Sequence, residues 1–162
     1  MSNKWAGREL PSLDHILNLF DNPTMSAFIT GHLIIESILV QLIDLKEERE
    51  NTFKKNFPTK IKMCIDLKLI TPEMGEYLKK VNQLRNKLAH NLGYRLSFDE
   101  VFSLCKEASK AGIDFSDDTI HSNKKTSKEW YGIEGVIQEI FQNTAIDLGF
   151  VMEEHGGEFQ FA

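Results

Sequence analysis

The chain has 162 residues, of which 41% are hydrophobic and 27% charged, with a formal net charge of −5. This length suits one domain, and the composition excludes a collagen-like, low-complexity or wholly disordered polypeptide. The two cysteines, Cys64 and Cys105, form no C-x-x-C pattern, which argues against a disulfide scaffold or a thiolate zinc site and fits a reducing cytoplasm. The residues following Met1 carry no apolar run behind their charges, so neither a signal peptide nor a lipidation motif is expected. The acidic total argues, taken as an average, against a polyanionic partner.

Residues 1–11 read as a loose N-terminal arm, 12–150 as a single helical domain and 151–162 as a C-terminal tail. Ser12 is placed to cap a short helix carrying Leu13, Ile16, Leu17 and Phe20, which ends near Asn22 and Pro23. The longest apolar stretch, Ala27 to Ile43, is interrupted by His32 and Glu36. A membrane span needs about 20 apolar residues and disfavours a central carboxylate, so a buried helix capped by Thr24 is the expectation. After Pro58, Ile61, Cys64, Ile65 and Leu69 repeat at helical spacing and predict a third helix of about 12 residues.

Thr71-Pro72-Glu73 is a strong start signal: a capping hydroxyl, a proline where the helix needs no N–H, and an early acid at the positive helix end. The fourth helix therefore begins at Pro72, carries Met74, Tyr77, Val81, Leu84 and Leu88 on one stripe, and stops by Gly93. Ser97-Phe98-Asp99-Glu100 forms a capping-box pattern that opens a fifth helix running to about Ala111. Residues Gly112 to Lys128 are polar and turn-rich and read as a loop, and a last helix is expected from about Glu129 to Leu148. No alternating β run is visible, so the expected fold is an all-α bundle of five or six helices.

Two ionisable groups fall in the apolar arc of the second helix, His32 and Glu36, one turn apart. An unpaired buried carboxylate costs several kcal/mol, by roughly the penalty of uncompensated charge, so Glu36 requires a partner. Either His32 or a water satisfies it, or Glu36 pairs with a cation on a neighbouring helix. Arg85, at the edge of the fourth helix's apolar stripe, is the natural candidate, because guanidinium forms bidentate pairs with carboxylates and stays charged when partly buried. A single His-x-x-x-Glu pair lacks the further ligands of a metal site, and no metal or other cofactor is expected.

The fourth helix ends in Arg85-Asn86-Lys87-Leu88-Ala89-His90. This segment resembles the Arg-x4-His signature of HEPN domains, including the polar residue directly after the arginine. Over about residues 27–105 the chain is also similar to the mannitol operon repressor family, through Phe28-Ile29-Thr30 leading into Glu36, Lys60-Ile61-Lys62 with Leu69-Ile70, Leu84-Arg85 to His90, and Phe98-Asp99-Glu100. The resemblance implies a HEPN-like bundle and, in its active members, a homodimer that cuts RNA without metal, with Arg85, Asn86 and His90 catalytic; Glu36 and His32, from their place on the second helix, are the expected supporting pair. Toxin-type members carry a tyrosine two positions after the histidine, where this chain has Leu92, with Tyr94 two positions further on. The alternative that the resemblance implies is a non-catalytic regulator acting through a protein partner. A cognate antitoxin is a further possible partner, while direct operator reading is not expected, since no helix-turn-helix is apparent.

The chemistry suits those residue types. An imidazole with a pKa of about 6.5 can take the proton of a 2′-hydroxyl or protonate a leaving oxygen, and arginine can clamp the scissile phosphate. Charge is also unevenly spread: residues 54–95 hold ten Lys or Arg against three acids, a balance of +7, leaving −12 elsewhere. Lys79, Lys80, Lys87, Tyr94 and Arg95 are accordingly the candidate RNA-binding residues, on a basic patch surrounding the motif.

Overall fold

A computed structural model describes residues 12–48, 51–91 and 93–159, apart from the side chains of His15, Ile16 and Leu19. The N-terminal arm and Leu92 lie outside the described residues. The described chain is all-α. Its elements are α1 (Leu13–Phe20), α2 (Pro23–Lys46), a 3-10 turn (Thr52–Lys54), α3 (Phe57–Asp66), α4 (Pro72–His90), α5 (Phe98–Lys110), α6 (Thr119–Ser122), α7 (Lys124–Trp130) and α8 (Gly132–Glu154).

Local signals set most of the boundaries. Thr71 caps α4 by accepting from Met74 N at 3.1 Å, with Pro72 in the first turn. The Ser97–Glu100 capping box of α5 is complete in both directions. The cap of α2 differs from expectation: Asn22, not Thr24, accepts from Met25 N at 3.0 Å. Pro23 follows it and has no N–H to leave unsatisfied, so helix begins one residue before Thr24. Asn56 likewise caps α3, which starts at Phe57 and takes Pro58 into its first turn.

The segment 112–128 is not a plain loop. It folds into α6 and most of α7 around buried Ile120 and Ser127, whose hydroxyl donates to the Ile120 carbonyl at 2.7 Å. Asp117 braces the entry by accepting from Thr119 and from the Tyr131 hydroxyl at 2.6 Å. Helices this short draw their stability from such tertiary anchors and not from local propensity. At the other end α8 continues past Leu148 to Glu154, burying Met152.

The core is built around α2 and α8, which share the most extensive helix contact. Gly31 makes this approach possible: a Cβ there would sit 2.3 Å from Cγ of Phe141, whose ring also meets Phe28 edge-on with centroids 5.0 Å apart. Helix α2 passes a length-and-composition test for a membrane span, but its Phe28, Ile35, Leu39, Leu42 and Ile43 are fully buried in the bundle. Helices α3 and α4 pack on each other and on α2, with Gly75 admitting Ile65 to within 2.5 Å of where a Cβ would stand. Tyr77 of α4 reaches across the core to Thr144 of α8, hydroxyl to hydroxyl at 2.9 Å, and so satisfies its one polar atom.

Candidate functional site around Arg85

One face of α2, the start of α3 and the second half of α4 enclose a pocket of about 380 Å³ lined by His32, Glu36, Asn56, Phe57, Pro58, Asn82, Arg85 and Asn86. Four residues singled out in the sequence, His32, Glu36, Arg85 and Asn86, thus meet at one place. His90 does not line this pocket; it stands exposed in the last turn of α4. Between Arg85 and His90 the helix advances about 7.5 Å and turns about 140°, so the two diverge.

The partner of Glu36 is Lys60, not Arg85. Lys60 is 2% exposed, and its Nζ donates to Glu36 Oε1 at 2.7 Å and to the Phe53 carbonyl at 3.0 Å. The sequence contains the signal: Phe57, Lys60, Ile61 and Cys64 share one helical face, and the other three are buried. A lysine on that face needs a carboxylate as much as Glu36 needs a cation. Arg85 is thereby left without a carboxylate partner among the described residues. Its Nη1 donates to Asn86 Oδ1 at 3.3 Å, and its buried Nε donates to nothing.

His32 is equally buried. Its Nε2 lies 3.2 Å from Asn82 Oδ1, its ring packs against Phe57 with centroids 4.3 Å apart, and its Nδ1 is 3.9 Å from Glu36 Oε2. Burial lowers its pKa from the usual histidine value, reinforced by Arg85 and Lys60 and opposed by the Asn82 hydrogen bond and Glu36. A neutral ring donating from Nε2 to Asn82 leaves Nδ1 as an acceptor without a partner. The pair expected between His32 and Glu36 is therefore a loose contact beside the Lys60–Glu36 ion pair.

The basic patch expected from sequence is largely neutralised in space. Lys79 pairs with Glu76 at 2.8 Å, Lys80 with Glu107 at 2.6 Å, and Lys87 approaches Glu100 at 4.0 Å. The Tyr94 hydroxyl donates to the same Glu100 carboxylate, and the Lys87 ammonium lies 5.9 Å from the Tyr94 ring centroid. Burial would raise the Glu100 pKa, but hydrogen bonds from Ser97 and Tyr94, with Lys87 nearby, hold it below the usual carboxylate range. Burial, with the hydrogen bond to and charge of Glu100, pushes the Tyr94 phenol up to about 12, so it stays a donor. Glu76 already counts within residues 54–95, but Glu100 and Glu107 come from α5 beyond them, so a window along the sequence separates charges that folding brings together. Arg95 is exposed.

Both cysteines are fully buried, and desolvation pushes each thiol up to about 12. No family model, curated protein or solved structure significantly matches the chain.

Proposed function

We propose that the chain is a HEPN-like, metal-independent RNA endonuclease that works as a homodimer, with Arg85, Asn86 and His90 as its catalytic residues. The observation that carries this reading is a guanidinium with no carboxylate partner among the described residues. Glu36, the carboxylate that would have consumed Arg85 structurally, is taken by Lys60, leaving Arg85 beside Asn86 at an open polar pocket.

Arg85 clamps the non-bridging oxygens of the scissile phosphate, and Asn86 orients the guanidinium or bonds the phosphate directly. His90 accepts the 2′-hydroxyl proton as that oxygen attacks phosphorus, or protonates the departing 5′-oxygen. Because Arg85 and His90 diverge on one helix, a two-fold arrangement that sets His90 of one copy against Arg85 of the other assembles the full set.

Cleavage of RNA in the presence of EDTA is the test. The wild type is expected to release products ending in a 2′,3′-cyclic phosphate and a 5′-hydroxyl, with His90→Ala and Arg85→Ala both folded by circular dichroism and inactive. Cleavage that persists in His90→Ala removes the ribonuclease reading.

A second reading is favoured by a different observation. Lys79, Lys80 and Lys87 are each matched by a carboxylate, which suits a non-catalytic cytoplasmic regulator resembling the mannitol operon repressor family and acting through a protein partner. That reading expects no cleavage from the wild type and unchanged partner binding in His90→Ala.

A further inference from the structure

The face of α2 opposite the Arg85 pocket forms, with α8 and with Phe159 beyond it, an apolar groove of about 710 Å³ lined by Ala27, Gly31, Ile34 and Ile38 of α2 and by Phe141 and Ile146 of α8, among others. Glu134 is the one charged residue along it. Among the described residues, the same chain also carries an apolar helix face that packs on nothing. In α1, Leu13, Leu17 and Phe20 are 70%, 56% and 86% exposed, and none of the three belongs to the hydrophobic core. Their spacing, i, i+4 and i+7, is that of the anchors by which an amphipathic helix lies in a hydrophobic groove.

We propose that α1 of one copy docks in the α2/α8 groove of a second copy, and the second α1 in the first groove, giving a reciprocal two-fold dimer. Three observations select this occupant. An eight-residue helix is marginal on its own, so α1 needs a surface to pack on. It is about 12 Å long, whereas the α2 wall of the groove runs about 16 Å from Ala27 to Ile38, so the helix fits within it. Finally, α1 meets α2 through Asp21 and Asn22 alone, and both are committed: Asp21 N closes α1 on the Asn18 carbonyl and Asn22 caps α2 ahead of Pro23. In the described chain α1 makes no extensive contact with α2 or α8 and its three anchors stay exposed, so it does not cover its own groove. Reciprocal docking satisfies both unpartnered faces twice and closes without leaving a free end.

The proposal stands apart from the ribonuclease reading, since the groove and the Arg85 pocket lie about 150° apart around α2.

The experiment mixes Leu17→Cys protein with Ile34→Cys protein under mild oxidation. Buried Cys64 and Cys105 do not compete. A covalent dimer is expected from the mixture and not from either variant alone. If instead only a doubly substituted chain closes a disulfide, at monomer mass, α1 covers its own groove and the proposal fails; it fails equally if no cross-link forms. Light scattering gives an independent arm: Leu17→Glu, a change at an exposed position, is expected to halve the solution mass with helicity retained, and an unchanged mass overturns the proposal whatever the outcome with RNA.

Discussion

Helix α2 presents two faces of opposite character. The face bearing His32 and Glu36 is dense with obligations: a carboxylate held by Lys60, an imidazole held by Asn82 and Phe57, and a guanidinium lining the same pocket. The face bearing Ala27, Gly31, Ile34 and Ile38 has no polar debt and stands partly open. Polar burial is specific because each group must find its complement, whereas apolar surface accepts any apolar cover. The two faces should therefore respond differently to substitution.

The largest effect is expected at Lys60. Lys60→Met strands Glu36 and should cost about 3 kcal/mol in urea unfolding, the low end of the penalty for breaking a buried pair, because Glu36 keeps a quarter of its side chain exposed. Adding Glu36→Leu should recover most of that loss. A small effect of Lys60→Met alone would mean that Arg85 swings in to replace it, and that variant would then lose its free guanidinium. On the apolar face, Gly31→Ala puts a methyl against the Phe141 ring and is expected to cost about 1–3 kcal/mol by overpacking. Gly31→Ala/Phe141→Ala, which removes the obstructing Cγ and ring, should cost less than the two single changes summed.

The polar face should also be the pH-sensitive one. His32 has a lowered pKa in the folded state, so above its unfolded value of about 6.5 the ring is neutral in both states and contributes no pH dependence. As the pH falls below 6.5 the unfolded chain takes up the proton first, and stability drops until the folded-state pKa is passed. Unfolding midpoints measured down a pH series should show this decline in the wild type and a shallower one in His32→Gln. The smallest effect is expected away from both faces: Lys80→Met breaks a half-exposed pair with Glu107 and should change stability by less than about 1 kcal/mol.

The parts of the fold legible in the sequence were those written locally. The Thr71-Pro72-Glu73 start, the Ser97–Glu100 capping box and the apolar stripe of α4 each require only neighbours within a turn. Helices α6 and α7 were hidden because their anchors, Ile120 under Ser127 and Asp117 under Tyr131, pair residues whose meeting depends on the finished fold. The same distinction governs the site. The need of Glu36 for a cation was readable from its place in an apolar arc, but the choice between Arg85 and Lys60 depended on how α3 and α4 approach α2. Neutralisation of Lys80 and Lys87 was likewise invisible, since Glu107 and Glu100 belong to the next helix.

The burial of Lys60 also makes it a clock for local opening. An amine-reactive label reaches the exposed lysines at once but can modify Lys60 only when α3 lifts from α2 and the Glu36 and Phe53 contacts part. Where reclosing is fast compared with labelling, the delay at that single amine measures the free energy of the opening event itself.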